Sequence, residues 1–115
     1  GGGDIVDSIL DDIKKMLGLS SDYTVFDKDI IIHINTAIMA LQQMGVGVSY
    51  AYYVQNARDR WDDFLNGHED LEAVKTYIYL RVRMLFDPPT SSAVIDAMNR
   101  TMSELEWRLN VRADI

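Results

Sequence analysis

The sequence predicts an all-α fold of four main helices, one short helix and one extended loop segment. Three observations predict it. Apolar residues recur three and four apart along four long stretches, the period of a helix that buries one face. Gly18, Gly45, Asn66-Gly67 and Pro88-Pro89 punctuate those stretches at their ends. Only residues 46–55 alternate with the period of a strand, and a lone strand has nothing to pair with.

The first helix is expected to open at Asp4 and close near Gly18. Ile5, Ile9, Ile13, Met16 and Leu17 form its stripe, with Val6 and Leu10 at the edge. Asp4 and Asp7 suit the positive end of the helix dipole, and Lys14 and Lys15 the negative end. After a connector over residues 19–26, Asp27 reads as the N-cap of a second helix reaching about Met44. Its stripe is Ile30, Ile34, Ala37, Ile38 and Leu41, widened by Ile31. The β-branched run at residues 30–34 would also suit a strand, but the helical period continues to Leu41.

Residues 46–55 are the least helical stretch. Val48, Tyr50, Tyr52 and Val54 alternate with Ser49, Ala51 and Tyr53. Backbone groups of a single extended segment must find solvent, a loop or a neighbouring subunit. A short helix over residues 56–65 carries Trp61, Phe64 and Leu65. A long helix from Glu69 to Phe86 has two apolar stripes, one with Leu71, Val74, Ile78, Val82 and Leu85, the other with Ala73, Tyr77, Leu80 and Met84. A helix apolar almost all round is central to its fold or shared with another chain. Thr90-Ser91-Ser92 offer caps for the last helix, to about Asn110, with the stripe Val94, Met98, Met102, Leu105 and Leu109. Trp107 lies about 200° from Leu105 on the wheel, away from that stripe.

At 115 residues the chain suits one domain, taken as residues 4–111. Gly1, Gly2 and Gly3 read as a cloning remnant or frayed end, and residues 112–115 as a flexible tail. With no cysteine there is no disulfide and no thiolate metal site. No apolar run reaches the roughly 20 residues of a membrane span, and the N-terminal residues lack the basic and apolar regions of a signal peptide, so a soluble intracellular protein without a membrane partner is expected. The net charge is -7, with 11 basic residues against 18 acids. That balance disfavours tight DNA binding, which depends on Lys and Arg at phosphates, and suits a smooth conduit better than a clamp.

No catalytic, metal or cofactor site emerges. His33 and His68 have no second histidine at a ligand spacing. The acidic pairs Asp11-Asp12, Asp62-Asp63 and Glu69-Asp70 read as solvated faces and helix starts. Glu69 with Glu72 has the spacing of a magnesium-binding pair in helical nucleotide pyrophosphatases. Neither Asp96 nor Glu104 with Glu106 gives a convincing second pair. The glycines show no phosphate-loop pattern. The aromatic residues Tyr50, Tyr52, Tyr53 and Trp61 cluster around the non-helical segment, and Trp107 sits off its helix's core face. Together they point to an interface.

Several stretches, in order, resemble the head–tail connector proteins of tailed bacteriophages, some of which are labelled DNA packaging proteins. They are Ser8-Ile-Leu-Asp-Asp-Ile-Lys-Lys-Met-Leu-Gly18, Asp29-Ile-Ile-Ile-His-Ile-Asn35, Gln43-Met-Gly-Val-Gly47, Trp61-Asp-Asp-Phe-Leu65, Val74-Lys-Thr-Tyr-Ile-Tyr-Leu80, Leu85-Phe-Asp-Pro-Pro89 and Glu104-Leu-Glu-Trp-Arg-Leu109. Residues 50–60 depart from the family's pattern. The resemblance implies a small, non-enzymatic, helical structural subunit. It would form a homo-oligomeric ring below the portal protein, extend the DNA channel and meet the tail or stopper protein. DNA would pass through without sequence-specific binding. The expected location is the virion's capsid–tail junction, and the host cytoplasm during assembly. A ring needs two different faces per subunit. The doubly apolar helix and the aromatic segment are the candidates, with Tyr50, Tyr52, Tyr53, Val54, Trp61, Tyr77 and Trp107 as interface residues. Two alternatives stand beside it: a magnesium-dependent all-α nucleotide hydrolase, and a small helical adaptor that binds a host protein.

Overall fold

A computed structural model of the chain describes residues 7–67 and 70–113. It is all-α: α1 (Ile9–Met16), α2 (Asp27–Gln43), α3 (Trp61–Leu65), α4 (Leu71–Phe86) and α5 (Ser92–Ala113). The expected helical residues Asp4, Ile5 and Val6, and also His68, Glu69 and residues 114–115, lie outside the described residues.

α1 starts at Ile9, later than the sequence suggests, because the backbone before it is otherwise engaged. Asp7 is not helical: its carbonyl accepts from the Trp61 N–H at 2.9 Å, and the Ile9 N–H donates to the Asp59 carbonyl at 3.0 Å. These two bonds make an antiparallel bridge between Ser8 and Arg60. Ser8 then caps the helix, its Oγ accepting from the Asp11 N–H at 3.2 Å. At the other end Gly18 takes φ +84°, and the Leu19 N–H returns to the Lys14 carbonyl at 2.8 Å, the closing bond of a Schellman turn.

Lys14 is not the solvated helix-end cation that its position suggests. Its side chain is only 1 % exposed, with Nζ 2.8 Å from the Asp27 carboxylate and donating to the Ser21 carbonyl at 3.1 Å. The same contact corrects the reading of Asp27 as an N-cap. Phe26 occupies the cap position without a side-chain bond, and Asp27 is the first residue of α2, facing Lys14. One ion pair thus joins the end of α1 to the start of α2 and ties down the loop between them.

The α2 stripe is as expected: Ile30, Ile34, Ala37, Ile38 and Leu41 are all buried. They pack on Val74, Ile78 and Val82 of α4, which also meets α1 and α5 and so is the central helix. Burying one such branched side chain stabilises the fold by about 1.5–3 kcal/mol. The second stripe of α4 faces α5: Tyr77 and Leu80 are buried, with Leu105 and Leu109 in the same core. Most of the double stripe of α4 therefore serves the inside of a single chain, while at its C-terminal end Met84 is half-buried and Leu85 exposed.

α3 is shorter than the expected residues 56–65. Residues 56–60 form a turn instead, in which the Asp59 carboxylate accepts from the N–H groups of Gln55 at 2.7 Å and Asn56 at 3.1 Å. Asn66 at φ 52° and Gly67 end α3 as the sequence suggests. α5 continues to Ala113, past the expected end near Asn110 and into the segment read as a tail. Its stripe is buried only in its second half. Leu105 and Leu109 are covered, Met98 and Met102 are half-buried, and Val94 is exposed. At 1.5 Å per residue α5 is about 33 Å long and α4 about 24 Å, so α4 cannot cover all of it.

Candidate assembly surface

The surface is built on the segment that follows α2. Gly45 ends the helix at φ +89°, and Gly47 at φ +86° turns the chain against Phe64. A Cβ on Gly47 would collide with the Phe64 ring, so no larger residue fits. The Val48 N–H donates to the Phe64 carbonyl at 2.9 Å.

From there the backbone runs along α2 as a strap, and two amide side chains of α2 pair with it. Gln42 Nε2 donates to the carbonyls of Val48 at 3.0 Å and Tyr50 at 2.8 Å, while its Oε1 accepts from the Tyr52 N–H at 3.2 Å. Asn35 Nδ2 donates to the Val54 carbonyl at 3.0 Å, and its Oδ1 accepts from the Val54 N–H at 2.7 Å. Asn35 and Gln42 stand seven residues apart, hence on one side of the helix. The extended segment thus finds backbone partners at Val48, Tyr50, Tyr52 and Val54 within the chain. Sequence reasoning missed both amides. The available signal was a pair of amides two turns apart beside a strand with no partner.

Alternation sorts the strap's side chains only in part, since Tyr50 shares the register of Tyr52 and Val54 yet is exposed. Val54 points inward and is buried, and Tyr52 is half-buried, its ring 5.5 Å from that of Phe64. The Tyr52 hydroxyl donates to Asp59 at 3.1 Å. Burial, with the Asp59 acceptor beside it, holds this phenol well above its ordinary pKa. Tyr50 and Tyr53 point out and are 63 % and 60 % exposed.

The seven residues expected at an interface therefore fall into two groups. Val54, Trp61 and Tyr77 are inside the chain. Trp61 Nε1 donates to Asp12 at 2.7 Å, and the Lys75 ammonium lies 5.6 Å from the indole centroid. The Tyr77 hydroxyl donates to Glu106 at 2.7 Å and accepts from Arg81 at 3.1 Å; burial and the Glu106 bond raise its pKa. Tyr50, Tyr53 and Trp107 are exposed, and Tyr52 is half-buried. Trp107 is 71 % exposed on the outer side of α5.

The acidic pairs do local work. Asp63 accepts from the Arg60 N–H at 2.9 Å at the start of α3, Asp62 from the Gly67 N–H at 3.1 Å at its end, and Asp12 holds Trp61. Burial raises the pKa of Asp11, assisted by the nearby charges of Asp27, Asp12 and Asp22 and opposed by Lys14. Among the described residues no group of three or more His, Asp or Glu side chains could hold a metal ion. His33 is half-buried on α2. Among the described residues no helix is long and apolar enough to cross a membrane.

A family model described as phage connector protein matches residues 9–115, from the first residue of α1 through all five helices. No curated protein and no solved structure gives a significant match. With the match spanning nearly the whole sequence and the all-α architecture agreeing, the chain belongs to the phage connector protein family.

Proposed function

We propose that the chain is a structural subunit of a head–tail connector ring that sits below the portal protein, extends the DNA channel and joins head to tail. It acts through contacts with its own copies, with the portal and with a tail or stopper protein, and it catalyses no reaction. The observation that carries this reading is the large aromatic side chains left outside a completed core. Tyr50, Tyr53 and Trp107 remain largely exposed although α4 and α5 already close the hydrophobic interior. Aromatic residues of this kind anchor protein interfaces.

The charge balance fits the same role. A net charge of -7 keeps a channel wall from gripping phosphates, so DNA slides past without sequence-specific binding. Such a subunit belongs to the capsid–tail junction of the virion and is assembled in the host cytoplasm. The test is to mix the purified chain with the portal protein of the same phage and image the product. Rings seated on the portal support the reading. A chain that stays apart from the portal at every concentration contradicts it.

A further inference from the structure

Charge is distributed very unevenly along the sequence. Residues 30–57 carry none of the 18 acids and 11 bases. These residues are most of α2 and the whole strap, and the fold lays them side by side through the Asn35 and Gln42 amides. Their inner face is the core. Their outer face is neutral and mixed: Ile32, Met39, Tyr50 and Tyr53 are each 60–63 % exposed, with Thr36 and Gln43 exposed beside them on α2. Met39 and Tyr50 line one shallow groove of about 520 Å³ with Gln42, Gln43 and Val48. Ile32 and Met39 are seven residues apart, so they share a side of α2.

We propose that this neutral face is one of the two lateral faces of the subunit and packs against a different face of the next copy, an inference that rests on the connector reading above. The charge pattern selects the occupant. Two copies of a chain with net charge -7 repel each other, and like charges facing across a contact cost several kcal/mol. The stretch free of charge is where a second copy approaches with least repulsion. DNA is a poor occupant, because no Lys or Arg is present in residues 30–57 to neutralise phosphates. A basic partner would gain nothing there and would be drawn to the acids elsewhere. The amide pairing also prepares the face, since it fixes the strap backbone at Tyr50, Tyr52 and Val54 before contact and less ordering is lost on association.

The experiment mixes the 115-residue chain with portal rings of the same phage and counts bound copies by native mass spectrometry and electron microscopy. Met39→Glu and Tyr53→Glu place a charge on the face, and Asn99→Glu adds the same charge at an exposed position of α5. Wild type and Asn99→Glu are expected to form closed rings. The two face variants should need at least about tenfold more protein for the same occupancy, because each leaves a charge buried at the contact. Should an acidic variant fail to fold, Met39→Ser and Tyr53→Ser remove apolar area without charge and are expected to weaken ring closure in the same direction. Rings formed by all variants at the wild-type concentration overturn the neutral-face proposal and leave the connector reading standing. Wild-type chains that never join the portal overturn the connector reading, and this proposal with it.

Discussion

Asn35 and Val54 are paired as two residues of adjacent strands would be, with the amide of one donating at 3.0 Å and accepting at 2.7 Å from the backbone of the other. A helix side chain has taken the place of a missing strand. Together with Gln42 it settles how an extended segment survives in an all-α chain.

Replacing Gln42 by Leu leaves the Tyr52 N–H and the Val48 and Tyr50 carbonyls without their partner. We expect a loss of about 1–3 kcal/mol by chemical denaturation, the range for unsatisfied hydrogen-bonding groups. Amide hydrogen exchange should accelerate at Tyr52 and Val54 while the amides of α4 keep their protection. Unchanged exchange in the strap would show that the amide is incidental.

Gly47→Ala combines a strained positive φ with a collision against Phe64. The expected cost is about 2–4 kcal/mol, the strain of a left-handed residue plus overpacking. Gly18→Ala shares the positive φ but has open space around it and should cost clearly less. Comparing the two melting temperatures separates strain from collision.

Lys14→Met removes a buried cation and leaves the Asp27 carboxylate and the Ser21 carbonyl without it. Breaking one side of a buried pair costs about 3–5 kcal/mol, and the partial exposure of Asp27 places this case at the lower end. The double variant Lys14→Met with Asp27→Asn should recover part of the loss in urea titration. No recovery would mean that the aliphatic stem of Lys14, rather than its charge, holds the loop.

Asp11 gives a pH-dependent prediction. Its folded pKa is raised, so the folded state holds its proton more tightly than the unfolded one. Its contribution to stability is full below the unfolded value of about 3.9 and is lost as pH rises through the folded value. Asp11→Asn should therefore raise the melting temperature at pH 7 and change it little at pH 3. At the alkaline end Tyr52 and Tyr77 behave alike: both phenols are raised, so their stabilisation holds below pH about 10 and fades above it. Tyr52→Phe should flatten that alkaline decline.

Most of the core was legible because helical period and burial are the same information. Spacing alone places Ile30, Ile34, Ile38 and Leu41 in the core, and all are buried. Its wheel angle alone puts Trp107 off the core, and it is exposed. The misreadings have a common cause in contacts between residues distant in sequence. Nothing local to Lys14 reveals that Asp27 will face it, and nothing local to Asp7 reveals its bridge partner beside Trp61. The fold divides the aromatic cluster, leaving Tyr50, Tyr53 and Trp107 exposed and burying Trp61 and Tyr77. The cluster could not be divided from sequence, because Trp61 and Tyr77 face inward to meet Asp12 and Glu106 on other helices.

The most direct test is electron microscopy of the chain assembled on its own portal, at a resolution that shows side chains. Closed rings in which Tyr53 and Trp107 are covered by neighbouring molecules are the predicted result. A chain that remains single, with both rings still in water, would contradict it.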